Sequence, residues 1–214
     1  MKIVAVIPIK SKSERVKNKN FKKVNGKPLY KFLLEKLKKC NFDEIYIDSD
    51  SKEIKKYCIK NNYKFIQRLP KLSKNDANGN DLLNYHAKII QADIFFQLFI
   101  TSPLIKIETI NKCIKILKNN KKIDSILTVQ EIYSWFWFNK KPINYNPKVL
   151  PRSQDAMPVV QETTALYGIK NKSLKKYKCR IGKKPFFYKV SNEEIIDLDN
   201  YKDFKYLRFV LKNK

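Results

Sequence analysis

Apolar positions come in short blocks along this chain, and the blocks alternate between two periods. Ile3–Ile9 is continuously apolar, which suits a parallel strand covered on both faces. The polar stretch Lys10–Asn20 follows, and Asn25-Gly26 predicts a turn. Pro28 stands where a first helical residue would, and Leu29, Phe32, Leu33 and Leu37 recur at helical spacing. Glu44–Ile47 reads as a second strand ending in Asp48-Ser49-Asp50, which supplies a cap for a helix over Lys52–Asn61. Tyr63–Gln67 reads as a third strand. Arg68–Asn80 has no period and carries Pro, Asn and Gly, so it reads as a long loop of the kind that often has a function. A helix over Asp81–Gln91, a buried strand over Ile94–Ile100, a helix over Ile107–Leu117 and a strand over Ser125–Val129 continue the alternation.

Strand–helix–strand repetition of this kind implies a parallel sheet with helices on both faces. The pattern changes after residue 130. Tyr133–Phe138 is aromatic-rich, and Pro142, Pro147, Pro151 and Pro158 punctuate the next stretch, so 131–165 reads as an excursion from the main sheet. Ala165–Ile169 looks like a return strand, followed by a short helix (Lys172–Tyr177), two strands (Phe186–Val190 and Ile195–Leu198) and a closing helix (Asp203–Leu211). The length of 214 residues fits one α/β domain spanning 1–214, and the apolar fraction of 43% suffices for an ordinary core. No apolar run reaches the roughly 18 residues that a membrane-spanning helix needs.

Charge changes the picture less than its size suggests. The formal net charge is +26, which invites a nucleic-acid partner. Yet only five of the 46 basic residues are arginine, the side chain whose flat fork reads bases and phosphates, and lysine is scattered beside many Asn and Ile. That distribution looks like codon bias in an AT-rich genome, so nucleic acid is not expected as the partner. A positive field would still attract polyphosphates and anionic sugars. Cys40, Cys58, Cys113 and Cys179 form no CxxC pair and read as reduced thiols of a cytoplasmic protein. His86 is the sole histidine and falls on a predicted helix, which sets aside Ser-His chemistry.

In open parallel sheets, ligands bind at the carboxyl ends of the strands. The loop Lys10–Asn20 leaves the first strand with cations and hydroxyls that could cradle a triphosphate. It is neither a Walker A loop nor GxGxxG, and by itself it also fits a solvated basic loop. Asp197-Leu198-Asp199 places two carboxylates on one side of an extended segment. Mg2+ shared with a nucleotide phosphate would relieve their repulsion. Equally, Asp199-Asn200 could simply cap the last helix.

Taken together the segments resemble the acylneuraminate cytidylyltransferase family, the enzymes that activate sialic-acid-like sugars as CMP conjugates. The resemblance rests on stretches in the expected order over nearly the whole chain. The first comprises Ile7-Pro8-Ile9-Lys10 to Ser13, Lys19-Asn20 and Asn25-Gly26-Lys27-Pro28-Leu29. The second comprises Arg68-Leu69-Pro70, Leu72, Asp76 and Gly79-Asn80-Asp81-Leu82-Leu83. Thr101-Ser102-Pro103-Leu104, Pro151-Arg152-Ser153-Gln154-Asp155, and Asp197-Leu198-Asp199 with Asp203-Phe204 complete it.

The resemblance implies a Rossmann-like three-layer α/β sandwich, a mostly parallel sheet and a small protruding dimerisation element, which 131–165 would supply as homodimer contact or substrate lid. It implies a reaction of CTP with a 2-keto sugar acid, giving the CMP-sugar and pyrophosphate with Mg2+ as cofactor. Lys10, Ser13, Lys19 and Asn20 would hold the phosphates and ribose, with Arg15 as a substitute cation. Arg68 and the turn Gly79, Asn80 and Asp81 would frame the cytosine. Asp197 and Asp199 would carry the metal, and Arg152 would meet a phosphate or the sugar carboxylate. Gln97, Gln154, Gln161 and Glu162 would reach sugar hydroxyls or an amide. The chain departs from the family at Lys10, where arginine is usual, and at Glu14, where a phosphate-binding lysine is usual. It departs again at Phe99-Ile100, where a glutamine is usual, and near Trp135–Trp137, where a substrate-side lysine is usual. A sugar nucleotidyltransferase using a sugar 1-phosphate and a non-catalytic nucleotide-binding homologue remain alternatives.

Overall fold

The computed structural model describes residues 1–74, 76–149 and 151–213. Its central element is a seven-stranded sheet. The strands are β1 (Ile3–Ile9), β2 (Glu44–Ser49), β3 (Lys64–Gln67), β4 (Ile94–Leu98), β5 (Ser125–Ile132), β6 (Val159–Lys170) and β7 (Pro185–Lys189). Their spatial order is β7-β5-β6-β4-β1-β2-β3. All neighbouring pairs are parallel except those of β6, which runs antiparallel to both β4 and β5.

Alternation along β1 sorts its side chains into two cores. Ile3, Ala5, Ile7 and Ile9 face α1 (Leu29–Leu37), α2 (Lys52–Lys60) and α4 (Ile107–Asn119) through Leu33, Leu34, Ile54, Cys58, Ile110 and Cys113. Val4 and Val6 face the opposite layer, where α3 (Gly79–Ile89) and α5 (Asn171–Tyr177) contribute Leu83 and Leu174. Every β1 residue but Pro8 is buried, which accounts for the unbroken apolar run. Full burial of each such aliphatic side chain contributes roughly 1.5–3 kcal/mol. A third cluster packs α6 (Tyr201–Lys212) through Phe204 and Leu207 onto Val16, Leu29 and Leu198. It thereby ties the chain's last helix to the loop after its first strand. This is the three-layer, mostly parallel, Rossmann-like sandwich expected.

The differences from the pattern-based reading have local causes. Asn25 and Gly26 adopt positive φ at the expected turn, and Pro28 caps α1 rather than opening it. Asp48 and Ser49 belong to β2, and the cap of α2 is Ser51, whose side chain accepts from the Ile54 N–H. The expected strand Ile195–Leu198 is absent. A 3-10 turn occupies Asn192–Ile195, and the extended residues beyond it gain one sheetward bond, Leu198 N to Thr101 O, so no ladder forms. The return strand is far longer than its apolar centre, because exposed Gln161 and Glu162 pair with β5 on the way in. The outlying segment is accordingly 133–158, with a small hairpin at Trp137–Phe138 and Lys141–Pro142. Among the described residues, no helix is long and apolar enough to cross a membrane.

Candidate active site

The carboxyl ends of β1, β3 and β4 and the segment before α6 surround a cleft of about 400 Å³. Lys10, Ser13, Arg15, Lys19, Asn20, Arg68, Gly79 and Asp199, all named from the sequence, line it. Lys12, Lys74 and Arg180 add further cations, and Phe99 and Thr101 form its floor at the end of β4.

The loop after β1 is shaped by four side chains. Asp50 accepts from both the backbone N–H and the hydroxyl of Ser11, each at 2.7 Å. Asn20, itself buried, donates Nδ2 to the Lys10 carbonyl at 2.7 Å, closing the loop on itself. Asn18 takes the left-handed conformation that turns the chain into the 3-10 turn Lys19–Phe21. Ser49 donates its hydroxyl to the Ile9 carbonyl, fixing where β1 ends. Asp50 and Ser49 therefore do positioning work that no motif announced.

Arg68 leaves β3 almost wholly buried. Its Nε donates to Asp48 Oδ1 at 2.7 Å and its Nη2 to the Asp48 carbonyl at 3.1 Å. Asp48 Oδ2 lies 2.5 Å from His86 Nε2 on α3. Burial pushes the Asp48 carboxyl up, but His86 and Arg68 together outweigh it and hold the group below the usual carboxylate range. Asp48, bonded on its other side to His86, thus braces the arginine that faces the cleft. His86, set aside as a nucleophile's partner, is buried with no access to the cleft lining.

Asp199 forms the opposite wall, whereas Asp197 does not line the cleft. Asn200, not Asp199, caps α6, in a capping box with Asp203. Asp199 is thereby left to the loop after β1. Its Oδ2 lies 2.6 Å from Arg15 Nη1 and its Oδ1 3.3 Å from Lys19 Nζ, which also donates to the Leu198 carbonyl. Burial opposes ionisation of Asp199, yet Lys19 and Arg15 prevail and lower its pKa. Asp197 accepts from the Thr164 hydroxyl at 2.7 Å through Oδ2, while its Oδ1 is buried without a partner. Among the described residues no cluster of three metal-ligating side chains forms. The orphaned Oδ1 of Asp197 would suit a hard cation completed by phosphate oxygens and water, whereas both oxygens of Asp199 are held by Arg15 and Lys19.

Other expected residues lie elsewhere. Asp81 closes the capping box of α3, and Asn80 accepts from the Arg180 N–H, so both act through the backbone. Gln97 is fully buried, with Nε2 donating to the Gly79 carbonyl and Oε1 unpartnered. Glu162 accepts from the Tyr167 hydroxyl at 2.5 Å, and Gln161 accepts from Gln130 Nε2. Arg152 pairs with Asp155 at 2.6 Å on the exposed outlying segment, and Gln154 is exposed beside it. None of Arg152, Gln154, Gln161 and Glu162 lines the cleft.

The chain is 23% identical over 207 residues to N-acylneuraminate cytidylyltransferase A of Danio rerio, an alignment covering 92% of this chain and 48% of that protein. It is 29% identical over 147 residues to CMP-N,N'-diacetyllegionaminic acid synthase of Legionella pneumophila, covering 63% and 62%. The chain spans about half the length of the first curated relatives it matches. In fold it is similar to CMP:2-keto-3-deoxy-manno-octonic acid synthetase solved with CTP, with a TM-score of 0.75 at 16% identity over 100% of this chain and 99% of that one. A family profile described as cytidylyltransferase matches residues 4–214, and the chain belongs to that family.

Proposed function

We propose that this chain transfers CMP from CTP to the anomeric hydroxyl of a sialic-acid-like 2-keto sugar acid, releasing pyrophosphate. The observation that carries the reading is the ion pairing of Asp199 with Lys19 and Arg15. It joins a carboxylate suited to a metal–phosphate complex to the basic loop suited to a triphosphate, in one cleft that also holds Arg68. Relatives named for N-acylneuraminate, octulosonate and diacetyllegionaminate support an acidic nine- or eight-carbon sugar as acceptor.

In this reading the triphosphate lies along Lys10–Asn20, with Lys10, Arg15 and Lys19 neutralising its oxygens and Ser13 donating to them. Arg68 and the backbone at Gly79 frame the cytosine. The sugar oxygen attacks the α-phosphorus in line as the bond to pyrophosphate breaks, so the protein contributes placement and charge. Mg2+ held by Asp197 and Asp199 would supply Lewis-acid stabilisation of the phosphoryl oxygens. The four free thiols suit a reducing cytoplasm. The exposed aromatics of 133–158 suit a contact between two copies.

The test is pyrophosphate release with each of the four NTPs, with and without Mg2+, against N-acetylneuraminate, 3-deoxy-manno-octulosonate and N,N'-diacetyllegionaminate. Release that needs both CTP and a sugar acid is the expected result. Release with another NTP and a sugar 1-phosphate, or CTP binding without turnover on any acid, overturns the reading.

A further inference from the structure

Asp199 is the member of the Asp197–Asp199 pair that lines the cleft, and both of its oxygens are engaged. Oδ2 meets Arg15 Nη1 at 2.6 Å, and Oδ1 meets Lys19 Nζ at 3.3 Å. Among the described residues, the oxygen of the pair left without a partner is Asp197 Oδ1, which is buried outside the cleft lining. Asp197 Oδ2 already accepts from the Thr164 hydroxyl. A divalent cation reaching the ligand-free chain therefore meets a carboxylate that two side-chain cations have already neutralised.

Those two cations are held unequally. The Lys19 side chain is 16% exposed, and its Nζ also donates to the Leu198 carbonyl at 2.8 Å. Lys19 is thereby anchored to the segment that carries Asp199. The Arg15 side chain is 70% exposed, and among the described residues Asp199 is its sole ion-pair partner. An exposed pair of this kind is weak. Arg15 is thus the cation that can leave Asp199 at small cost.

The rest of the cleft says what would draw it away. Lys10, Lys12, Arg68 and Lys74 stand around the same space, which suits a polyanion. A guanidinium offers a phosphate the same fork that it offers a carboxylate. The donors that hold Asp199 are therefore the donors a triphosphate takes. Once Arg15 turns to the phosphates, Asp199 carries an uncompensated charge beside further negative charge. That repulsion is relieved when Asp199 and phosphate oxygens coordinate a divalent cation together. Such coupling is reciprocal, so a metal that the triphosphate admits must also tighten the triphosphate.

We propose that the Arg15–Asp199 pair is a latch that keeps divalent cations off Asp199 in the free chain, and that the triphosphate releases it by taking Arg15. Metal then binds with the nucleotide and not before it. This assignment rests on the cytidylyltransferase reading above and gives Arg15 a duty of its own beside that of a substitute cation.

Two titrations of the full chain test it. Mn2+ is added without nucleotide and followed by the electron paramagnetic resonance of the free ion, and CTP is added in EDTA and followed by calorimetry. Arg15→Ala is expected to bind Mn2+ roughly fivefold more tightly than wild type, and Arg15→Ala combined with Asp199→Asn to lose that gain. Arg15→Lys is expected to stay near wild type. Asp199→Asn is expected to bind metal-free CTP roughly fivefold more tightly than wild type, because its cations are already released. Equal Mn2+ affinity in wild type and Arg15→Ala overturns the latch, and so does a gain that survives Asp199→Asn. Metal-free CTP binding that Asp199→Asn leaves unchanged overturns it too. Pyrophosphate release from CTP and a sugar acid reports on the parent reading separately, so turnover without these shifts removes the latch alone. A wild type that binds no CTP removes both.

Discussion

His86 Nε2 lies 2.5 Å from Asp48 Oδ2, and both side chains are fully buried between the sheet and α3. The other oxygen of Asp48 holds Arg68, so a histidine that never reaches the cleft helps set the direction of an arginine that does.

Removing the central charge leaves Arg68 buried without its counter-ion. Asp48→Asn is expected to lower the unfolding free energy by about 3 kcal/mol and to raise the KM for CTP. Because Asp48 ionises below the usual carboxylate range in the folded protein, its charge stabilises the fold at neutral pH. That contribution is lost as pH falls below about 4. Urea unfolding from pH 7 to pH 3 should therefore show a shallower acid limb in Asp48→Asn than in wild type. Parallel curves would remove this ion pair from the account.

Asp199→Asn is expected to reduce pyrophosphate release by at least about 100-fold with little change in unfolding temperature. The residue is partly exposed, and α6 keeps its cap at Asn200. Unchanged turnover across a Mg2+ titration would discard the metal role.

Asp50 holds the loop through the Ser11 N–H and hydroxyl. Asp50→Ala is expected to raise the KM for CTP roughly tenfold while leaving the KM for the sugar acid within about twofold. Equal effects on both substrates would mean that the loop does not act on the nucleotide alone.

Trp137 and Phe138 are 57% and 67% exposed at the small hairpin. If they bury against a second copy, Trp137→Ser with Phe138→Ser should shift the sedimentation coefficient from dimer to monomer at micromolar concentration. A wild type that sediments as a monomer would rule out that contact.

What could be read from the chain divides along physical lines. β1 and the alternation of layers were legible because an unbroken apolar run suits a strand covered on both faces. The Asp197–Asp199 alternation was legible too, but not its lack of a ladder, since a single backbone bond to Thr101 depends on where β4 ends. Asp48 and His86 stand 38 positions apart, and only the sheet order and the seat of α3 bring them together. Arg180 carries no local pattern at all. Its place in the cleft comes from the Tyr167 ring beneath it and the missing side chain at Gly79. Glu162 was picked out as a sugar contact, whereas its neighbour Tyr167, which holds both Glu162 and Arg180, was not.

The one reversed strand reaches beyond hydrogen-bond bookkeeping. Because β6 opposes β4 and β5, the chain departs from Ile132 and comes back at Val159 on the rim where the cleft opens, and not at the sheet's far end. The aromatic arm therefore shares a rim with Arg68 and the loop after β1, while its own side chains stay out of the cleft lining.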